Sequence, residues 1–66
     1  MTPQEFKEAR KALGLTQSQM ATVLGYGAQS RISDVERGVQ PVTDTVSRLI
    51  HAYLNGYRPK DWPPQS

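Results

Sequence analysis

The stretch QSQMATVLGYGAQSRISDVERG, Gln17 to Gly38, decides how this chain folds. Met20, Ala21 and Leu24 form an inward stripe at helical spacing, Gly25-Tyr26-Gly27 interrupts it, and Ile32 and Val35 resume it in a second segment. Two short helices joined by so brief a link must meet at a tight angle. Ala21 sits where the second presses on the first, and a larger side chain there would push them apart. Gly25 supplies the positive φ the turn needs.

Near the N-terminus, Thr2-Pro3-Gln4-Glu5 reads as a capping box: a hydroxyl N-cap, proline at the first helical position, and a glutamate that reaches back. Phe6, Ala9 and Leu13 then share one helix face, and Gly14 is placed to end it in the left-handed region. Leu15 precedes a second box, Thr16-Gln17-Ser18-Gln19. A third helix starts near Gly27 or Ala28 and runs to about Arg37, with Ala28, Ile32, Val35 and Val39 on its inner face and Gly38 as its stop. Pro41 cannot continue it. Thr43 caps a fourth helix whose stripe is Val46, Leu49, Ile50, Tyr53 and Leu54, and Asn55-Gly56 closes it.

The expected class is all-α, because nowhere do apolar and polar residues alternate over a strand's length. Residues 1–56 form one domain, with the motif at 17–37. Residues 57–66 are an irregular tail with three of the five prolines and the only Trp. Tyr57 and Trp62 either fold back over the core or cover a two-fold partner, while Arg58 and Lys60 keep the tail solvated.

Composition narrows the function. The chain has 66 residues, so one small domain is expected and a second is not. Eight Lys+Arg against six Asp+Glu give a net charge of +2, compatible with a polyanionic partner but too small to argue for one alone. There are no cysteines, which removes disulfides, thiolate metal sites and cysteine nucleophiles, and points to a reducing cytoplasm. The apolar runs are too short for a membrane span or a leader peptide. His51 is the lone histidine. With Ser47 it makes no triad, and it offers no metal-ligand spacing, so neither an enzyme, a metal nor a cofactor is expected.

With Ile32 turned inward, Ser30, Ser33, Asp34 and Arg37 face the other way, flanked by Gln29 and Arg31. Short hydrogen-bonding side chains and arginine suit the donors, acceptors and thymine methyls of the DNA major groove. Any solvated helix face carries such residues, so both readings stand at this point.

Leu15-Thr16-Gln17-Ser18-Gln19-Met20-Ala21, Val23-Leu24-Gly25 and Ile32-Ser33-Asp34-Val35-Glu36-Arg37-Gly38, in this order, resemble the phage-repressor helix-turn-helix family, the Cro/cI or XRE type. The likeness covers residues 4 to about 54. It implies a four-helix, lambda-repressor-like domain that binds double-stranded DNA in the major groove. Family members are transcriptional regulators in bacteria or phages, commonly repressors that act as homodimers on palindromic operators. That places the chain in the cytoplasm, on the nucleoid, with no small-molecule effector evident. The alternative is a protein-interaction module such as an antitoxin-like partner.

One departure stands out. Gly25 to Ile32 is seven residues where the family most often has six, and the extra one is expected to lengthen the turn at Tyr26-Gly27-Ala28.

Carried over by counting back from Ile32, the resemblance implies base readers at Gln29 and Ser30, and a later one at Asp34. Arg31 would reach guanine or a phosphate, and Ser33 lies on the same face. Gln17 would touch a phosphate and brace the recognition helix. Gln40, Thr43 and Arg48 resemble a second phosphate clamp, joined by Arg37. Tyr26 either lies along a phosphate or covers the turn.

Arg10 falls on the apolar face of the first helix and Glu36 beside the inward stripe of the third. A charge on a buried face requires a counter-charge, so the two are expected to form an internal ion pair, and the family shows one at matching positions.

Overall fold

Capping chemistry sets where the first two helices begin. The Thr2 side chain accepts from the Glu5 N–H, and the Glu5 carboxylate accepts from the Thr2 N–H at 2.7 Å, so α1 (Pro3–Ala12) starts with two of its terminal donors occupied. Thr16 and Gln19 repeat the arrangement at the start of α2 (Gln17–Leu24). Two further helices follow, α3 (Gln29–Glu36) and α4 (Asp44–Leu54), the latter capped by the Thr43 hydroxyl oxygen accepting from the Val46 N–H. The computed structural model describes residues 1–60 and Trp62, and among these no strand occurs. The molecule is all-α.

The core gathers Phe6 and Ala9 from α1, Leu15 from the following loop, Met20 and Ala21 from α2, Ile32 and Val35 from α3, and Ile50 from α4. Leu15 is buried although the sequence marks it only as the residue before a cap. Tyr53 is buried as well and ties α4 to α2: its hydroxyl donates to the Val23 carbonyl at 3.1 Å.

Three residues expected on inner faces are not there. Val39 is 58% exposed and Ala28 is exposed. The reason is the length of α3. It is shorter at both ends than its apolar spacing predicts, with Ala28 extended at φ −148° before it and Gly38 at φ +81° after it. The helical phase that would carry either residue inward is therefore lost. Leu54 closes α4 at 45% exposure, past the part of that helix the core covers.

The described part of the tail lies on its own chain. Tyr57 stacks on Tyr53 with centroids 6.0 Å apart, and Trp62 meets Tyr53 at 5.2 Å. Arg58 does more than keep the tail solvated. Its guanidinium donates to the Tyr53 and Tyr57 carbonyls and lies 4.6 Å over the Trp62 ring. The last carbonyls of a helix have no partner within it, and a guanidinium placed there satisfies them. Residues 61 and 63–66, the remainder of the expected tail, lie outside the described residues. Among the described residues no helix is long and apolar enough to cross a membrane.

The Thr2 backbone N–H, and after it the Thr2 side chain, hold the Glu5 carboxyl below its ordinary value of 4.5. A folded value below the unfolded one stabilises at pH above the ordinary value, and the gain is lost as pH falls through the folded one. Thermal melts between about pH 6 and about pH 3 should therefore show a steeper fall in Tm for the native chain than for Glu5→Gln. Parallel slopes would show that the carboxylate is not held in the box.

Candidate nucleic-acid interface

Ile32 and Val35 are fully buried, and their anchorage fixes which side of α3 faces outward. Gln29, Ser30 and Arg31 are exposed, and Ser33 and Asp34 are half-exposed beside them. The turn before α3 is built by two left-handed glycines, Gly25 at φ +75° and Gly27 at φ +79°, with the Tyr26 N–H donating to the Ala21 carbonyl at 2.9 Å. Residues 25–28 all lie outside the helices, so the longer spacing is absorbed in the connection while Ile32 and Val35 keep their inward phase. Ala21, 3% exposed, is the small residue between α2 and its neighbours.

Behind this face runs a chain of polar side chains that crosses three helices. Arg10 Nε donates to Glu36 Oε2 at 2.6 Å, and a second guanidinium nitrogen reaches Oε1 at 3.4 Å. The third donates to the Leu15 carbonyl at 2.9 Å. Gln17 Nε2 donates to Glu36 Oε1 at 3.1 Å, and Gln29 Nε2 donates to Gln17 Oε1 at 3.2 Å. The ionic end is well shielded, with side-chain exposures of 13% for Arg10 and 7% for Glu36. Two charges removed from water are tolerated only when paired and hydrogen-bonded, as these are. The sequence points to the Arg10–Glu36 pair, and the family resemblance to Gln17 as a brace of the recognition helix, which its bonds to Glu36 and Gln29 make it; neither points to the bond with Leu15 or to Glu36 as the acceptor for Gln17. Those depend on the angle between α1, α2 and the end of α3, for which no residue pattern codes.

The other candidates divide. Arg37 is exposed and stands 3.6 Å from the Asp34 carboxylate, a surface pair. The Asp34 carbonyl accepts from the Val39 and Gln40 N–H groups, which turns the chain after α3. The Thr43 hydroxyl oxygen is engaged as a cap. Gln40 and Arg48 are exposed. Tyr26 is half-buried and packs on the core, so its ring covers the turn. His51 is exposed, and no group of His, Asp or Glu that could hold a metal ion occurs among the described residues.

A family model described as Helix-turn-helix matches residues 6–62, most of the chain. The chain belongs to the Cro/cI-type helix-turn-helix family. No curated protein and no solved structure matches it. It is thus a helix-turn-helix DNA-binding regulator of the XRE kind, whose partner is double-stranded DNA. The family is a regulatory domain, typically without enzymatic activity.

Truncating one member of a buried pair strands the other. Glu36→Ala should lower the free energy of unfolding by about 3 kcal/mol, read by chemical denaturation. Asp34→Ala, which opens only the surface pair, should change it by less than about 0.5 kcal/mol. Equal, small losses in both variants would show that the Arg10–Glu36 pair is solvated.

Proposed function

We propose that this helix-turn-helix protein is a sequence-specific repressor that binds a palindromic operator as a homodimer, with α3 of each copy in the major groove. The observation that carries the reading is the placement of Gln29 and Ser30: exposed at the start of a helix whose other side is locked in the core, with Gln29 tethered to Gln17. A reader held at a fixed angle binds its base more tightly than a free side chain, because less rotamer entropy is lost on binding.

Gln29 retains an oxygen acceptor and one N–H beyond its bond to Gln17, which match N6 and N7 of adenine. Ser30 and Ser33 add hydroxyls that pair with either partner type. Arg31 reaches guanine or a phosphate, and Asp34, beside Arg37, accepts from cytosine N4. Gln17 stands at the N-terminus of α2, where the helix dipole and first-turn N–H groups favour an anion, so a phosphate seats there. Arg37, Gln40, Arg48 and the Thr43 hydroxyl proton supply further phosphate contacts, which position the protein without reading sequence. Tyr26 contributes its hydroxyl edge from the turn.

Dimerisation places two copies of α3 one helical turn apart, ~34 Å, on a two-fold operator. Leu54 and Tyr57, exposed where α4 gives way to the tail, support an interface at that end. Repression then follows from occlusion, since a dimer seated across a promoter excludes polymerase. The same exposed side chains favour a second reading, in which this end binds a different protein, as an antitoxin-like partner would.

Selection from random duplex oligonucleotides should return a palindromic consensus with half-sites one turn apart. Gln29→Ala with Ser30→Ala should weaken operator binding by about 1–3 kcal/mol for each base that is no longer read, and leave affinity for unrelated duplex nearly unchanged. The log–log salt dependence on unrelated duplex should keep its slope, set by phosphates alone. Equal weakening on both DNAs would mean that the readers lie elsewhere, and no binding at low salt would favour the protein-partner reading.

A further inference from the structure

We propose that Glu36, too deeply buried to meet DNA, is a specificity-determining positioning residue: it dictates which atoms of the Gln29 amide are offered to a base. The inference rests on the reading of Gln29 as a base reader and goes beyond it by placing the origin of its selectivity at the far end of the helix.

Hydrogen-bond direction carries the effect. Glu36, paired with the Arg10 guanidinium, has only acceptors to offer, whereas an amide has both an acceptor and two donors. Gln17, 3.1 Å from Glu36 Oε1, must therefore turn its NH2 group toward the carboxylate and its oxygen away. That oxygen meets Gln29, and because an amide oxygen only accepts, Gln29 must answer with its own NH2 group, at 3.2 Å. The direction imposed by one buried charge is thus passed through two amides to the surface. Gln29 is left with its oxygen and one N–H, an acceptor beside a donor. That pair fits adenine, which shows an N6 donor and an N7 acceptor in the major groove.

Reversing the direction changes the base. With Gln17 flipped, Gln29 would give its oxygen to Gln17 and present two N–H groups outward. Two donors fit guanine, whose O6 and N7 are both acceptors. The carboxylate at position 36 forbids that arrangement, because the flipped Gln17 would set an oxygen against an oxygen. A neutral amide at position 36 allows both directions.

The test compares Glu36→Gln, Gln17→Met and Gln29→Ala with the native chain. Competition binding uses operators that carry adenine or guanine at the base pair Gln29 reads, together with unrelated duplex. The native protein should prefer adenine by about tenfold or more. Glu36→Gln should bring that ratio close to one, by gaining affinity for guanine, while binding to unrelated duplex is unchanged. Gln17→Met leaves the ion pair in place and frees Gln29 to turn either way, so it should equalise the two bases as well, and it decides the matter if Glu36→Gln does not fold. A merely structural role for Glu36 would lower stability and leave the adenine-to-guanine ratio intact. That ratio, preserved in a folded Glu36→Gln or in Gln17→Met but abolished in Gln29→Ala, overturns the proposal. A ratio preserved in Gln29→Ala as well removes the base-reader assignment itself.

Discussion

The carboxylate of Glu36 is the point on which this small fold turns. It sits at the end of α3, takes hydrogen bonds from Arg10 of α1 and Gln17 of α2, and is almost sealed from water. A charge in that position cannot be left unpaired, so the three helices have little freedom to move relative to one another without breaking it. Apolar contacts alone would not do this. Ile32 and Val35 hold α3 against the core, but apolar packing is non-directional and tolerates small rotations. The ionic and amide bonds supply the direction that packing lacks, and they do so directly behind the exposed polar face of α3.

The remainder of the molecule serves to keep that arrangement standing in a chain with few core residues. A 66-residue domain buries a modest share of its surface, and its margin rests on local devices. Reciprocal capping boxes start α1 and α2, glycines in the left-handed region close the turns, and the Tyr53 hydroxyl bonds α4 to the last turn of α2. The aromatic tail extends the core at its open end, where Arg58 both donates to the Tyr53 carbonyl near the end of α4 and covers the Trp62 ring. The N-terminus of α2 that a capping box organises is also where Gln17, the proposed phosphate contact, stands.

Much of this is legible from the residues, and the reasons differ from element to element. Thr2 with Glu5, and Thr16 with Gln19, announce helix starts because capping is a local interaction between residues fixed in spacing. Ile32 and Val35 reveal the inner face of α3 through periodicity. The ends of α3 are not legible in the same way. Ala28 and Val39 continue its apolar spacing, yet they lie outside the helix, because backbone conformation at Ala28 and Gly38 ends it first. Arg58 reads from sequence as a solvating charge and becomes a tie to the helix end only when the tail folds back. That Gln17 braces the recognition helix follows from the family resemblance, but which atoms it meets, Glu36 Oε1 and Gln29 Nε2, depends on interhelix angles that no single-sequence pattern encodes.

On our proposal the polar side of α3, held from behind by Glu36, meets duplex DNA. Following backbone amide resonances by NMR while duplex DNA is added tests it most directly. The resonances of Gln17 and of Gln29 to Ser33 should shift and broaden together as DNA is added. Shifts confined to Leu54 and Tyr57, with α3 undisturbed, would contradict it.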